Sequence, residues 1–91
     1  MLKVVASNQF RKDLRLAIIR GFDIDELHNV VDKLSSQERL DEKYRDHSLT
    51  GNFIGYRECH IKPDWLLIYK VDSDELELFL FRTGTHSDLF K

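Results

Sequence analysis

The run Gly55-Tyr56-Arg57-Glu58-Cys59-His60-Ile61-Lys62-Pro63-Asp64-Trp65-Leu66-Leu67-Ile68-Tyr69-Lys70-Val71 decides the fold. Its first part alternates, with Tyr56, Glu58 and His60 on one face of a strand and Arg57, Cys59 and Ile61 on the other. Lys62-Pro63-Asp64 reads as a turn, since proline presets a turn dihedral and aspartate hydrogen-bonds the nearby backbone. Residues 65–71 are nearly all apolar, the composition of a central strand covered on both faces. Asp72-Ser73-Asp74 turns the chain again. Leu76, Leu78 and Leu80 then alternate with Glu77, Phe79 and Phe81, ending at Arg82. Connections this tight make the three strands an antiparallel meander.

Working outward, Leu2 to Ala6 is a short apolar run that reads as an opening strand. Ser7 caps a helix carrying Phe10, Leu14, Ala17 and Ile18 on one face, and Gly21 closes it. Asp23 and Glu26 form a capping-box-like pair for a second helix, with Leu27, Val30, Val31 and Leu34 at helical spacing. Residues 37–54 are polar and without period, and read as a long ordered loop of the kind that often carries function. The predicted fold class is α+β: N-terminal strand, helical hairpin, then a three-stranded antiparallel meander with the helices packed on one face. At 91 residues the chain is expected to be a single domain, residues 1–91.

The meander has a chemical consequence. Up strand 56–61, down 65–71 and up 75–82 puts His60, Asp64, Trp65 and Arg82 at the same end of the sheet. His47 lies in the long loop, and His86 and Phe90 in the tail. Histidines, a carboxylate and an arginine at one sheet edge suit phosphodiester cleavage in RNA. Imidazole, titrating near neutrality, can take the 2′-hydroxyl proton or protonate the departing oxygen. Arginine can grip the phosphate bidentately, and Phe90 or Trp65 can stack on an unpaired base. Each residue also has a plainer reading. His60 can be a sheet histidine, Asp64 a turn residue, Trp65 a core residue and Arg82 a surface charge paired with Asp64. Asp13 reads as solvated surface and Cys59 as buried and inert. A metal held by His60, Asp64 and His47 or His86 is the chemical competitor. The spacing fits no tight metal motif, and a neighbouring Arg82 would repel a cation.

Composition narrows the classes. No stretch reaches the roughly 18 apolar residues that span a bilayer, and the N-terminus lacks a signal-peptide layout. Cys59 is the only cysteine, so no intramolecular disulfide forms. The expected location is the cytoplasm, away from membranes. Net charge is −2, from fourteen basic and sixteen acidic residues, whereas nucleic-acid binders usually carry a basic surplus. Residues 43–70 run the other way, with five cationic side chains against three carboxylates. A basic cleft on an acidic protein is the expectation.

Three segments resemble a known family: Tyr44-Arg45-Asp46-His47-Ser48-Leu49-Thr50-Gly51, Gly55 to Lys70, and Arg82-Thr83-Gly84-Thr85-His86-Ser87-Asp88-Leu89-Phe90. Together they are similar to the YafQ branch of the RelE/ParE toxin superfamily. The N-terminal half matches it only in layout. The resemblance implies a RelE-like fold and the toxin of a type II toxin–antitoxin system, a ribosome-dependent mRNA endoribonuclease that uses no metal or other cofactor. It implies a cognate antitoxin of DinJ type, with the ribosome and mRNA as further partners and operator DNA reached only through the antitoxin complex. The family's functional positions correspond to His47, His60, Asp64, Trp65, Arg82, His86 and Phe90. On this reading the 2′-hydroxyl attacks the phosphate and His86 is the general acid. His60 with Asp64 is base or base-orienter, and His47 a second acid–base candidate. Arg82 holds the phosphate, while Trp65 and Phe90 bind the substrate. A catalytically weak antitoxin-bound partner or co-repressor, and a ParE-like gyrase inhibitor, are the alternatives.

Overall fold

The structure, a computed structural model, describes residues 1–90. Lys91, which falls in the predicted tail and domain, lies outside the described residues. The elements run β1 (Lys3–Ala6), α1 (Asn8–Ile19), α2 (Ile24–Ser35), β2 (His47–Ser48), β3 (Arg57–Lys62), β4 (Trp65–Asp72), β5 (Glu77–Gly84) and α3 (His86–Leu89). The meander is present, with β3–β4 and β4–β5 antiparallel. Two further strands extend it on either side, giving the order β1-β5-β4-β3-β2. β1 lies parallel to β5, with Val4 opposite Leu78.

Both helices begin as their caps dictate. Ser7 accepts from the Phe10 N–H and donates to the Phe81 carbonyl at 2.7 Å, so a single hydroxyl starts α1 and ties it to β5. Asp23 accepts from the Glu26 N–H at 3.2 Å. The other half of the expected capping box is redirected, because the Glu26 carboxylate accepts the Tyr44 hydroxyl instead. That bond pushes the Tyr44 phenol up to about 12. The apolar face of α1 is Phe10, Leu14 and Ala17, whereas Ile18 is 56% exposed. Ile18 sits at the rim of the stripe, so the predicted face is one residue too wide.

The helices cover one side of the sheet. Cys59, Ile61, Leu67, Tyr69, Leu78 and Leu80 meet Phe10, Ala17, Leu27, Val30 and Leu34 in one core. Leu66 and Ile68 are fully buried but lie outside this core, on the opposite face. β4 is therefore covered on both sides, as its unbroken apolar run requires. Burying a side chain of this size is worth roughly 1.5–3 kcal/mol.

Residues 37–54 hold more structure than a loop. Glu42–Tyr44 and Gly51–Phe53 are 3-10 turns, and His47–Ser48 pairs with β3 as an edge strand. Polar bonds fasten the segment: Asp46 accepts from Arg57 at 3.0 Å and from the Tyr69 hydroxyl, and Arg57 reaches Ser48 at 2.8 Å. A segment without apolar period is held by side-chain hydrogen bonds to the sheet, and periodicity is blind to those.

Candidate active site

The register places the chemistry on the sheet face turned away from the helices. Glu58 pairs with His47 on β2 and Ile68 on β4, and Ile68 pairs with Arg82 on β5. His60, Leu66 and Gly84 form the adjoining row. A register irregularity lies in each meander ladder at this point, between His60 and Lys62 and between Ile68 and Tyr69. Bulges re-aim side chains beside functional sites.

Three imidazoles converge here. The His47 and His60 ring centroids are 6.4 Å apart, and those of His60 and His86 5.7 Å. Each ring meets an oxygen acceptor through Nδ1: His47 at the Arg45 carbonyl (2.7 Å), His60 at the Pro63 carbonyl (3.3 Å) and His86 at the Asp64 carboxylate (2.6 Å). An acceptor at Nδ1 requires the proton there, which leaves Nε2 as the working nitrogen of His60 and His86, while that of His47 meets Glu58. Arg45 takes the left-handed conformation, with φ 49°, to point its carbonyl at His47.

Asp64 belongs to His86. Besides the Nδ1 bond it accepts the His86 backbone N–H at 3.1 Å. These two bonds, the side-chain one first, hold the Asp64 carboxyl below the usual carboxylate range. The expectation that Asp64 orients His60 is thereby corrected, because the turn aims its carboxylate at α3. The tail is an ordered helix: Thr85 and Asp88 form a reciprocal capping box, and Arg20 binds Asp88 at 2.7 Å.

Three other expectations are corrected. Trp65 is 3% exposed and packs on Phe22 at 5.0 Å between centroids, so it is a core residue with no free face for a base. Its alternation with Leu66 turns it to the helix side. Arg82 pairs with Asp13 rather than Asp64, donating from Nε at 2.7 Å and Nη2 at 3.3 Å. The forked edge that would grip a phosphate is occupied, leaving Nη1. Asp13 also accepts the Thr83 N–H, so it is a structural anchor rather than solvated surface. Phe90 is 41% exposed and meets Phe53 edge-on at 5.6 Å. Cys59 is fully buried, and burial pushes its thiol up, in keeping with an inert side chain.

Glu58 was missed. It is 7% exposed, its Oε2 lies 3.0 Å from His47 Nε2, and among the described residues its Oε1 is buried with no partner. With Nδ1 of His47 donating to a carbonyl, the 3.0 Å contact needs one proton shared between imidazole and carboxylate. An unpartnered buried carboxylate oxygen beside histidines is costly in a purely structural role, which makes Glu58 a candidate functional residue. The signal was available, because β3 alternation puts Glu58 on the His60 face. A cleft of about 510 Å³ adjoins His60, lined among others by Lys43, Arg45 and Lys62. It meets the expectation of local positive charge. Donor atoms of Glu58, His60 and His86 all lie within 4.8 Å of one another, a set whose chemistry fits a divalent transition-metal ion.

Comparison with known proteins agrees with this geometry. Residues 2–91 match the family described as the bacterial toxin of type II toxin–antitoxin system, YafQ. The mRNA interferase toxin YafQ of Escherichia coli K12 is 44% identical over 85 residues, covering 92% of this chain and 90% of that protein. The metal-bound toxin from Helicobacter pylori superposes with TM-score 0.94 at 46% identity, covering 99% of this chain and 100% of that one. The toxin of the E. coli DinJ–YafQ complex gives TM-score 0.90 at 38% identity, with both chains fully covered. Sequence and fold agree over essentially the whole chain, which therefore belongs to the YafQ family of type II toxin–antitoxin toxins.

Proposed function

We propose that the chain is an endoribonuclease that cleaves messenger RNA on the ribosome, by acid–base chemistry that needs no metal. The observation that carries this is the set of three converging imidazoles, each anchored through Nδ1, with Nε2 of His60 and His86 left to work. His86 acts as general acid, and Asp64 positions its ring and supports its charged form. His60, the ring between His47 and His86, acts as base. The 2′-oxygen attacks phosphorus as its proton passes to His60 Nε2. The P–O5′ bond breaks as His86 Nε2 donates its proton to the leaving 5′-oxygen. The products are a 2′,3′-cyclic phosphate and a free 5′-hydroxyl, and every proton is accounted for. Arg82, opposite Ile68 in the ladder, has N–H groups not taken by Asp13 to offer the developing phosphate charge. Lys43, Arg45 and Lys62 hold the adjoining backbone.

Ribosome dependence is supported by charge. A chain of net −2 gains little long-range attraction for free RNA, so delivery of the message by the ribosome supplies what its own field does not. By kinship with the toxin of the DinJ–YafQ complex, a DinJ-type antitoxin covers this face, and operator DNA is met only through that antitoxin.

Primer extension on a reporter mRNA in a reconstituted translation system tests the reading. The protein is stripped with EDTA beforehand and the chelator removed, since ribosomes need Mg²⁺. Cleavage is expected with wild type and ribosomes together, and a loss of about 10²–10⁴-fold with His86→Ala. Intact message with folded wild-type protein would overturn the nuclease reading in favour of an inert antitoxin partner or a gyrase inhibitor.

A further inference from the structure

The sheet face that holds the histidines continues past them as a strip of rings. Phe90 meets Phe53 at 5.6 Å between centroids, Phe53 meets Phe81 at 6.4 Å, and Phe81 meets Tyr56 at 4.7 Å and Phe79 at 6.2 Å. None of the five is fully buried. Lys70 is exposed and places Nζ 5.2 Å from the Tyr56 ring centroid and 5.9 Å from that of Phe79. Leu66 and Ile68 are fully buried on this same sheet face, and aliphatic side chains would cover those two equally well. Five part-exposed rings with an ammonium among them are more than a lid requires.

The strip has a beginning and an end. It begins at the active site, because Phe90 caps the helix that starts at His86. It ends beyond the Lys70–Phe79 pair, where Asp72 faces Glu77 and the acidic turn Asp72-Ser73-Asp74-Glu75 follows. An anionic strand leaving the histidines is drawn as far as Lys70 and repelled after it.

We propose that this aromatic strip binds bases of single-stranded RNA flanking the scissile phosphate, with Lys70 taking a backbone phosphate at its far end. The inference rests on the nuclease reading and names the substrate subsite that reading lacks. Unpaired bases offer π faces of any sequence, whereas a duplex hides them, so single strands are selected over double. The strip has room for about two or three bases.

The test is fluorescence anisotropy with a labelled nine-nucleotide 2′-O-methyl RNA, which cannot be cleaved because the attacking hydroxyl is blocked. Wild type and His86→Ala should bind it alike, and a duplex of the same sequence more weakly. Tyr56→Leu and Phe79→Leu keep apolar cover over Ile68 but remove the ring, and should weaken binding about tenfold each with unchanged thermal midpoint. Lys70→Gln, exposed and outside the core, should weaken binding and flatten its salt dependence even if a ring variant folds poorly. Wild-type affinity in all three variants would overturn the proposal, leaving the strip as cover for the second sheet face. So would variants that lose a DinJ-type antitoxin but keep RNA. Binding without cleavage in the ribosome assay would sink the nuclease reading alone, while cleavage with unaffected strip variants would sink the strip alone.

Discussion

The Asp64 carboxylate accepts both the Nδ1–H and the backbone N–H of His86, and so fixes the ring and the start of α3 together. Its place in the turn after β3 is plain in the sequence, but its partner is not. Whether it serves His60, four residues back, or His86, twenty-two residues on, depends on where the tail docks. Side chains that alternate along a strand were legible: His60 was placed correctly, and Glu58 shared its face by the same rule. Partners across the fold were not, as Arg82 with Asp13 illustrates. The His86–Asp64 bond predicts that Asp64→Asn lowers kcat by about 10–10²-fold and leaves KM nearly unchanged, because the amide still holds the ring but carries no charge. Steady-state cleavage kinetics measure this. The Asp64→Asn/His86→Ala double variant should be no slower than His86→Ala, since the carboxylate acts only through the imidazole.

At the scale of elements, α3 is too short to fold alone and depends on its fastenings. The Arg20 hydrogen bond, first, then the Thr85 N–H hold the Asp88 carboxyl well below its ordinary value of 3.8. A carboxyl depressed in the folded state stabilises fully above its unfolded value and loses that contribution as pH falls through the folded one. Wild type should therefore melt higher than Arg20→Met at neutral pH, with the gap closing below about pH 4 as Asp88 takes up its proton; thermal melts across pH 2–7 would show it. A gap that widened on acidification would contradict the assignment. Gly84 makes the same joint tight: a Cβ there would sit 3.0 Å from the Asp88 side chain, which would have to shift by a few tenths of an ångström to admit it. Four residues with one apolar anchor give no helical period, and the sequence therefore reads as a tail. The longer α1 and α2, with caps and stripes, were legible to within a residue or so at each end.

For the molecule as a whole, the fold class and the convergence of the candidate residues could be read from connectivity, while the edges of the sheet could not. β1 is too short to announce its partner, and β2 is two residues inside a polar segment. Convergence of strand ends and tail into one polar cluster also creates a liability. Glu58, His60 and His86 are a ready ligand set, and an ion bound there would occupy the nitrogens to which the proposed mechanism assigns proton transfer. Micromolar Zn²⁺ is thus expected to inhibit cleavage and a chelator to restore it, with Mg²⁺ held constant for the ribosome; activation by Zn²⁺ would reverse the picture. The parallel pairing of β1 with β5 has a consequence of another kind, in time rather than space. The first strand made finds its neighbour only when residues 77–84 have been synthesised, and α3 with His86 comes later still. Such a pairing is about as non-local as this chain permits, and it is the step that completes the sheet. A nascent chain short of it holds β2, β3 and β4 without the strand that joins them to β1, and lacks His86, so on the proposed mechanism the site is assembled only as synthesis ends.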